Sequence, residues 1–135
     1  MAQVIEFPDT HADRHVVLVV DDEFLVRCVL CEILQDAGFQ VMQAENANDA
    51  IGILEQHPHV DLVFSDVKMP GMDGFELARW VNEHKTDMPV ILASGYAGKT
   101  SMACDLRCTE VLKKPFDFDT VIDKIRDTIS RRQAS

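Results

Sequence analysis

The feature that most limits what this chain can become is an alternation, repeated five times from His15 onward, of a short apolar run with a longer segment of helical period. The runs fall at residues 16–20, 39–43, 60–65, 89–93 and 109–112. The first, third and fourth are almost uniformly apolar, as strands are when both faces of a parallel sheet are covered. Parallel neighbours need crossover connections, and right-handed crossovers put helices on the two faces. The expected fold is therefore α/β, a doubly wound (βα)5 three-layer sandwich. Its 135 residues are enough for one such domain with a real core, and the whole function is expected to reside in it.

The segments between the runs carry helix punctuation. A first helix is expected over residues 24–37, with Leu25, Cys28, Val29, Ile33 and Leu34 near one face and Gly38 closing its end. Asn46 is a ready N-cap for a second helix. Asp73 with Glu76 three positions on makes a capping-box pair for a third, after a turn at Pro70 and Gly71. A short helix is expected around residues 99–107. A last one follows Asp117, with Phe118, Val121, Ile122, Ile125 and Ile129 at core spacing and residues 131–135 fraying. Residues 1–14 show no sustained period and read as a flexible N-terminal arm, leaving 15–135 as the domain.

In open α/β sheets, ligands bind beyond the C-terminal ends of the strands, where the strand order reverses. Run one ends in Asp21 and Asp22, run three in Asp66, run four in Ser94 and run five in Lys114. Each residue has a plain alternative, since Asp caps helices, Ser starts turns and Lys covers surfaces. Their joint placement is another matter. With strand order 2-1-3-4-5, runs one and three are neighbours, and three carboxylates meet a hydroxyl and an ammonium in one cleft. Carboxylates so close repel unless a counter-charge sits among them, and an oxygen-only set suits a hard cation, foremost Mg2+. A carboxylate can also act as nucleophile in phosphoryl transfer while a cation and a lysine neutralise the moving charge.

Four motifs, VVLVVDDE at 16–23, VFSDVKMPGMDG at 63–74, ILASG at 91–95 and VLKKPF at 111–116, resemble those of the receiver domains of two-component signalling, in the same order. The resemblance runs from His15 to about Arg132. It implies a flavodoxin-like fold and a single-domain, CheY-like response regulator, with Asp66 as the phosphoacceptor. It also implies Mg2+ held by Asp22 and Asp66, by Asp21 through a water, and by the backbone carbonyl of Lys68. Ser94 would contact the phosphoryl oxygen. Lys114 rather than Lys113 would pair with the phosphate, next to a cis Lys114–Pro115 bond. Lys68 and Tyr96 flank the site at positions that tune hydrolysis in similar proteins. Val111 stands where many receivers carry an aromatic switch residue. The partners implied are a sensor histidine kinase or histidine phosphotransfer protein as donor, and a downstream protein target.

Other readings fit less well. Asp21, Asp22 and Glu23 would repel a flavin phosphate, so no small-molecule cofactor is expected. Lys68 stands where an aspartyl-nucleophile phosphatase would place its second acid, which argues against an enzyme turning over phosphate esters. Ser94 lacks the glycine pattern of a nucleophile elbow and an evident base. The remaining competitor is a receiver-like binding module that is never phosphorylated. A net charge of −10 disfavours nucleic acid and anionic membranes, and no apolar stretch is long enough to span a bilayer, so a cytoplasmic protein is expected. The cysteines at 28, 31, 104 and 108 then read as reduced small hydrophobes, with zinc ligation by the CxxC pair as the weaker option. His57 and His59 read as a solvated loop.

Overall fold

A computed structural model describes residues 15–85, 87–95 and 109–134, with side chains described to Arg132. Five strands, β1 (Val16–Val20), β2 (Gln40–Ala44), β3 (Leu62–Asp66), β4 (Val90–Ser94) and β5 (Thr109–Lys113), form one sheet. Its order is β2-β1-β3-β4-β5, with every pairing parallel. The helices among the described residues are α1 (Phe24–Asp36), α2 (Ala47–Gln56), α3 (Gly74–His84) and α4 (Phe118–Ala134). The helix expected around residues 99–107, Tyr96, Cys104, Cys108 and the arm at 1–14 lie outside the described residues. No described helix is long and apolar enough to cross a membrane.

The central strands β1, β3 and β4 are buried along their whole length, which is why their sequences show no alternation. Successive side chains of β1 still point to opposite faces. Val16, Leu18 and Val20 join α2 and α3 in one core cluster, whereas Val17 and Val19 join α1 and α4 in a second. The observed strands start one or two residues later than expected except at β1 and β5, so Asp66 and Ser94 are the last residues of their strands.

Helix termini follow the punctuation. Asn46 accepts the amide of Asp49 at 2.7 Å. Asp73 and Glu76 close a reciprocal box, at 2.9 and 2.8 Å. Gly38 has φ +104°, and the amide of Phe39 behind it returns to the Leu34 carbonyl, ending α1 as a left-handed glycine allows.

Two helix faces differ from expectation. The buried side of α1 consists of Leu30, Cys31 and Leu34, while Leu25 and Val29 are exposed, at 75% and 44%. Apolar residues occupy both sides of this helix, so its periodicity alone could not choose the inner one. In α4, Val121, Ile125 and Ile129 are buried as expected, but Phe118 stays exposed in the first turn. That helix also continues past Arg131. Its last turns are tied to the body by Arg131 to Glu110 at 2.8 Å and by Arg132 to the Asp61 carbonyl at 3.0 Å.

The α1 assignment is open to direct test by urea unfolding. Leu34→Ala, which empties a fully buried site, should cost about 2–5 kcal/mol. Leu25→Ala should stay within roughly 0.5 kcal/mol of wild type. A comparable loss at both positions would count against the observed face.

Candidate functional site

Pairing of β1 with β3, in the register Val20 to Ser65, sets the two acidic strand ends side by side. Asp21, Asp22 and Asp66 each offer a carboxylate oxygen, and these oxygens lie within 4.8 Å of one another. Asp22 is exposed, Asp66 is 9% exposed and Asp21 4%, so the cluster runs from the surface inward. It opens into a cleft of about 890 Å3 lined by Asp22, Asp66, Lys68, Ser94 and Lys114.

Lys114 Nζ donates to Asp66 Oδ1 at 3.1 Å. The Lys114 amide bonds the Ser94 carbonyl at 2.8 Å, continuing the β4–β5 ladder; the Lys114–Pro115 bond is cis. Lys113, paired in register with Ser94, is exposed and does not line the cleft. Ser94 is buried at the end of β4. Lys68 lines the mouth and is exposed. Val111 is half-buried, opposite Leu92, and packs against the core cluster of α2 and α3.

Burial raises the pKa of Asp21 from its ordinary value. The Glu23 amide, bonding Oδ1 at 2.9 Å, works against this, while the charges of Asp66 and Asp22 add to it and that of Lys114 offsets part. All three side chains present oxygen, the donor type a hard divalent ion takes, and the open cleft leaves room for water ligands.

Gly74 is a participant that the sequence quotes within a motif without assigning it work. A Cβ on it would stand 2.5 Å from the Asp66 carbonyl oxygen and 2.8 Å from the Val67 Cα. Its amide bonds the Val67 carbonyl at 2.8 Å, so α3 starts in direct backbone contact with the strand end that bears Asp66. The Asp-Gly pair at a helix start was the available signal. Cys31 is buried in α1 with its thiol pushed up to about 11, chiefly by desolvation. His57 and His59 meet edge to face with rings 5.7 Å apart, and the acid cluster is the group of three or more candidate metal ligands that the described residues form.

Residues 17–126 match the family model described as the response regulator receiver domain. The chain is 34% identical over 113 residues to sporulation initiation phosphotransferase F of Bacillus subtilis, covering 82% of this chain and 90% of that protein. It is 32% identical over 122 residues to the DNA-binding transcriptional regulator NtrC of Salmonella typhimurium, covering 89% of this chain but 26% of that one. It therefore spans nearly all of the first relative and about a quarter of the second. Among solved structures, the response regulator protein TrrA from Thermotoga maritima, in complex with Mg2+-BeF, superposes with TM-score 0.77 at 33% identity, covering 84% of this chain and 98% of that one.

Two outcomes test this geometry. The ionised form of Asp21 costs more in the folded than in the unfolded chain; without a cation that cost is fully present above the raised pKa and fades as pH falls through it towards the unfolded value. Asp21→Asn should hence raise the urea midpoint of cation-free protein at pH 7, by a margin that shrinks on acidification. An unchanged or lower midpoint at pH 7 would contradict it. Gly74→Ala should lose about 1–3 kcal/mol to overpacking against backbone, measurable in the same assay.

Proposed function

We propose, from the premise that this chain belongs to the response regulator receiver domain family, that it accepts a phosphoryl group on Asp66 in a Mg2+-dependent reaction and passes the signal on through protein contacts. Receiver domains of two-component systems are phosphorylated on aspartate. The observation that carries the assignment to Asp66 is its position: it belongs to the carboxylate cluster and also holds the Lys114 ammonium at 3.1 Å.

Asp22 and Asp66 would hold the cation directly, Asp21 through a water, and the Lys68 carbonyl would complete the protein ligands. When bound, Mg2+ supplies positive charge against the phosphoryl oxygens and the acid cluster. An Asp66 carboxylate oxygen attacks phosphorus, the bond from phosphorus to the donor nitrogen breaks, and that nitrogen keeps the electron pair until it takes a proton. Lys114 already lies on Asp66 and needs only to follow the new oxygens outward, offsetting their charge. Ser94, at the end of the adjoining strand, would donate its hydroxyl to a phosphoryl oxygen. The chain thereby assists its own phosphorylation and dephosphorylation without turning over a small substrate.

The donor in this reading is a sensor histidine kinase or a histidine phosphotransfer protein, with the cytoplasm as the expected compartment. A macromolecular donor is supported by Phe24, Leu25 and Val29, exposed apolar side chains on α1, which begins two residues after Asp22. A net charge of −10 speaks against nucleic acid as the partner of this domain. No observation favours a module that is never phosphorylated.

Intact-mass analysis after incubation with a small acyl phosphate decides the matter. The expected result is a gain of one phosphoryl group that requires Mg2+ and is lost in Asp66→Asn. Lys114→Ala should slow that gain by roughly two orders of magnitude, the usual effect of removing one charge-stabilising donor. No gain by folded, Mg2+-loaded wild-type protein would instead favour the unphosphorylated binding module.

A further inference from the structure

The turn between β1 and α1 presents a mechanical problem. It carries two of three mutually repelling carboxylates, and Glu23, the N-cap of α1, makes no side-chain capping bond. Among the described residues, three hydrogen bonds at Asp21 restrain it. The Asp21 amide donates to the Ala44 carbonyl of β2 at 3.1 Å, and Asp21 Oδ1 accepts from the Glu23 amide at 2.9 Å. The third is the shortest: the Asp21 carbonyl accepts from Arg27 Nη1 at 2.7 Å.

The guanidinium that makes this bond is itself anchored twice. Arg27 Nε donates to Gln43 Oε1 on β2 at 3.1 Å, and the group lies over the Phe24 ring, 5.5 Å from its centre. Arg27 is half-buried, and its planar fork joins the end of β1, the side of β2 and the first turn of α1. We infer that Arg27 is a positioning residue for the divalent cation, clamping the Asp21 carbonyl so that the Asp21 and Asp22 carboxylates keep their directions when no cation is bound. The inference rests on the cation-site reading given above.

A preorganised turn has a specific signature. If the acidic turn must be reordered at each binding event, affinity for the cation falls, whereas the chemical step at saturation does not change. A residue that merely stabilises α1 would lower the unfolding midpoint and leave cation affinity as it was. The charged donor is the essential part, so lysine should serve in part and glutamine should not.

The test is a Mg2+ titration of the full chain, followed by calorimetry and by backbone amide shifts, for wild type, Arg27→Lys and Arg27→Gln. Arg27→Gln should weaken Mg2+ binding roughly tenfold, the low end of what loss of a ligand-orienting partner costs, with Arg27→Lys between it and wild type. Phosphorylation by an acyl phosphate should need correspondingly more Mg2+ for half-maximal rate, with the rate at saturating Mg2+ preserved. Unchanged Mg2+ affinity in folded Arg27→Gln would overturn the inference alone. Wild-type protein that takes up no Mg2+ would overturn the cation-site reading and the inference with it. Should Arg27→Gln fail to fold, Gln43→Leu carries the test, because Gln43 is exposed and its loss frees one end of the guanidinium. Its expected effect is a rise of about threefold in the dissociation constant, the worth of one hydrogen bond, and an unchanged value would overturn the inference.

Discussion

Adjacency of β1 and β3 is the constraint from which the rest of this molecule follows. Their parallel pairing brings two acidic strand ends together, at the one place in the sheet where the chain reverses its direction of winding. Helices leaving β1 and β3 pass to opposite faces, α1 to one core cluster and α3 to the other, so that among the described residues no helix covers the strand ends between them. A cleft results without any excavation of the core. The carboxylates in it inherit fixed positions from strands that are buried throughout.

Such a site has an electrostatic cost, and the surrounding structure is arranged to bear it. Three carboxylates within 4.8 Å favour opening of the turn that holds two of them. Lys114 opposes this from across the sheet by its contact with Asp66, and the hydrogen bonds at Asp21 oppose it locally. Close backbone packing of Gly74 keeps Asp66 from retreating. Folding energy for all this comes from elsewhere, from two apolar clusters on either side of the sheet that contain no part of the acid cluster.

Much of this was legible in the residues. Almost uniformly apolar runs at 16–20 and 60–65 signal strands covered on both sides, and Asn46, Asp73 and Glu76 cap the helices they were expected to cap. The ends of four runs pointed to the cleft because a parallel sheet directs all its C-terminal ends the same way. What escaped sequence reasoning depends on tertiary contact. Leu25 and Val29 have the composition of a core stripe, but Leu30, Cys31 and Leu34 supply one too, and only the docking of α1 decides between them. Arg27 was similarly silent and Gly74 was marked only by the Asp-Gly pair at a helix start, since the work of each is defined by a backbone carbonyl, of Asp21 and of Asp66.

These silent residues share a logic with the audible ones. A carboxylate presents its chemistry by its identity, and so Asp21, Asp22 and Asp66 can be found by type and spacing. Direction is a property of backbone, and the residues that control it touch main chain rather than ligand. Gly74 does so by having no side chain, which lets α3 begin against the Asp66 peptide. Arg27 does so by having a long rigid one, which spans from α1 to the Asp21 carbonyl and on to Gln43. Opposite chemistries thus meet the same need on the two sides of one cleft, and substitution at either should act on the geometry of the carboxylates before it acts on their charge.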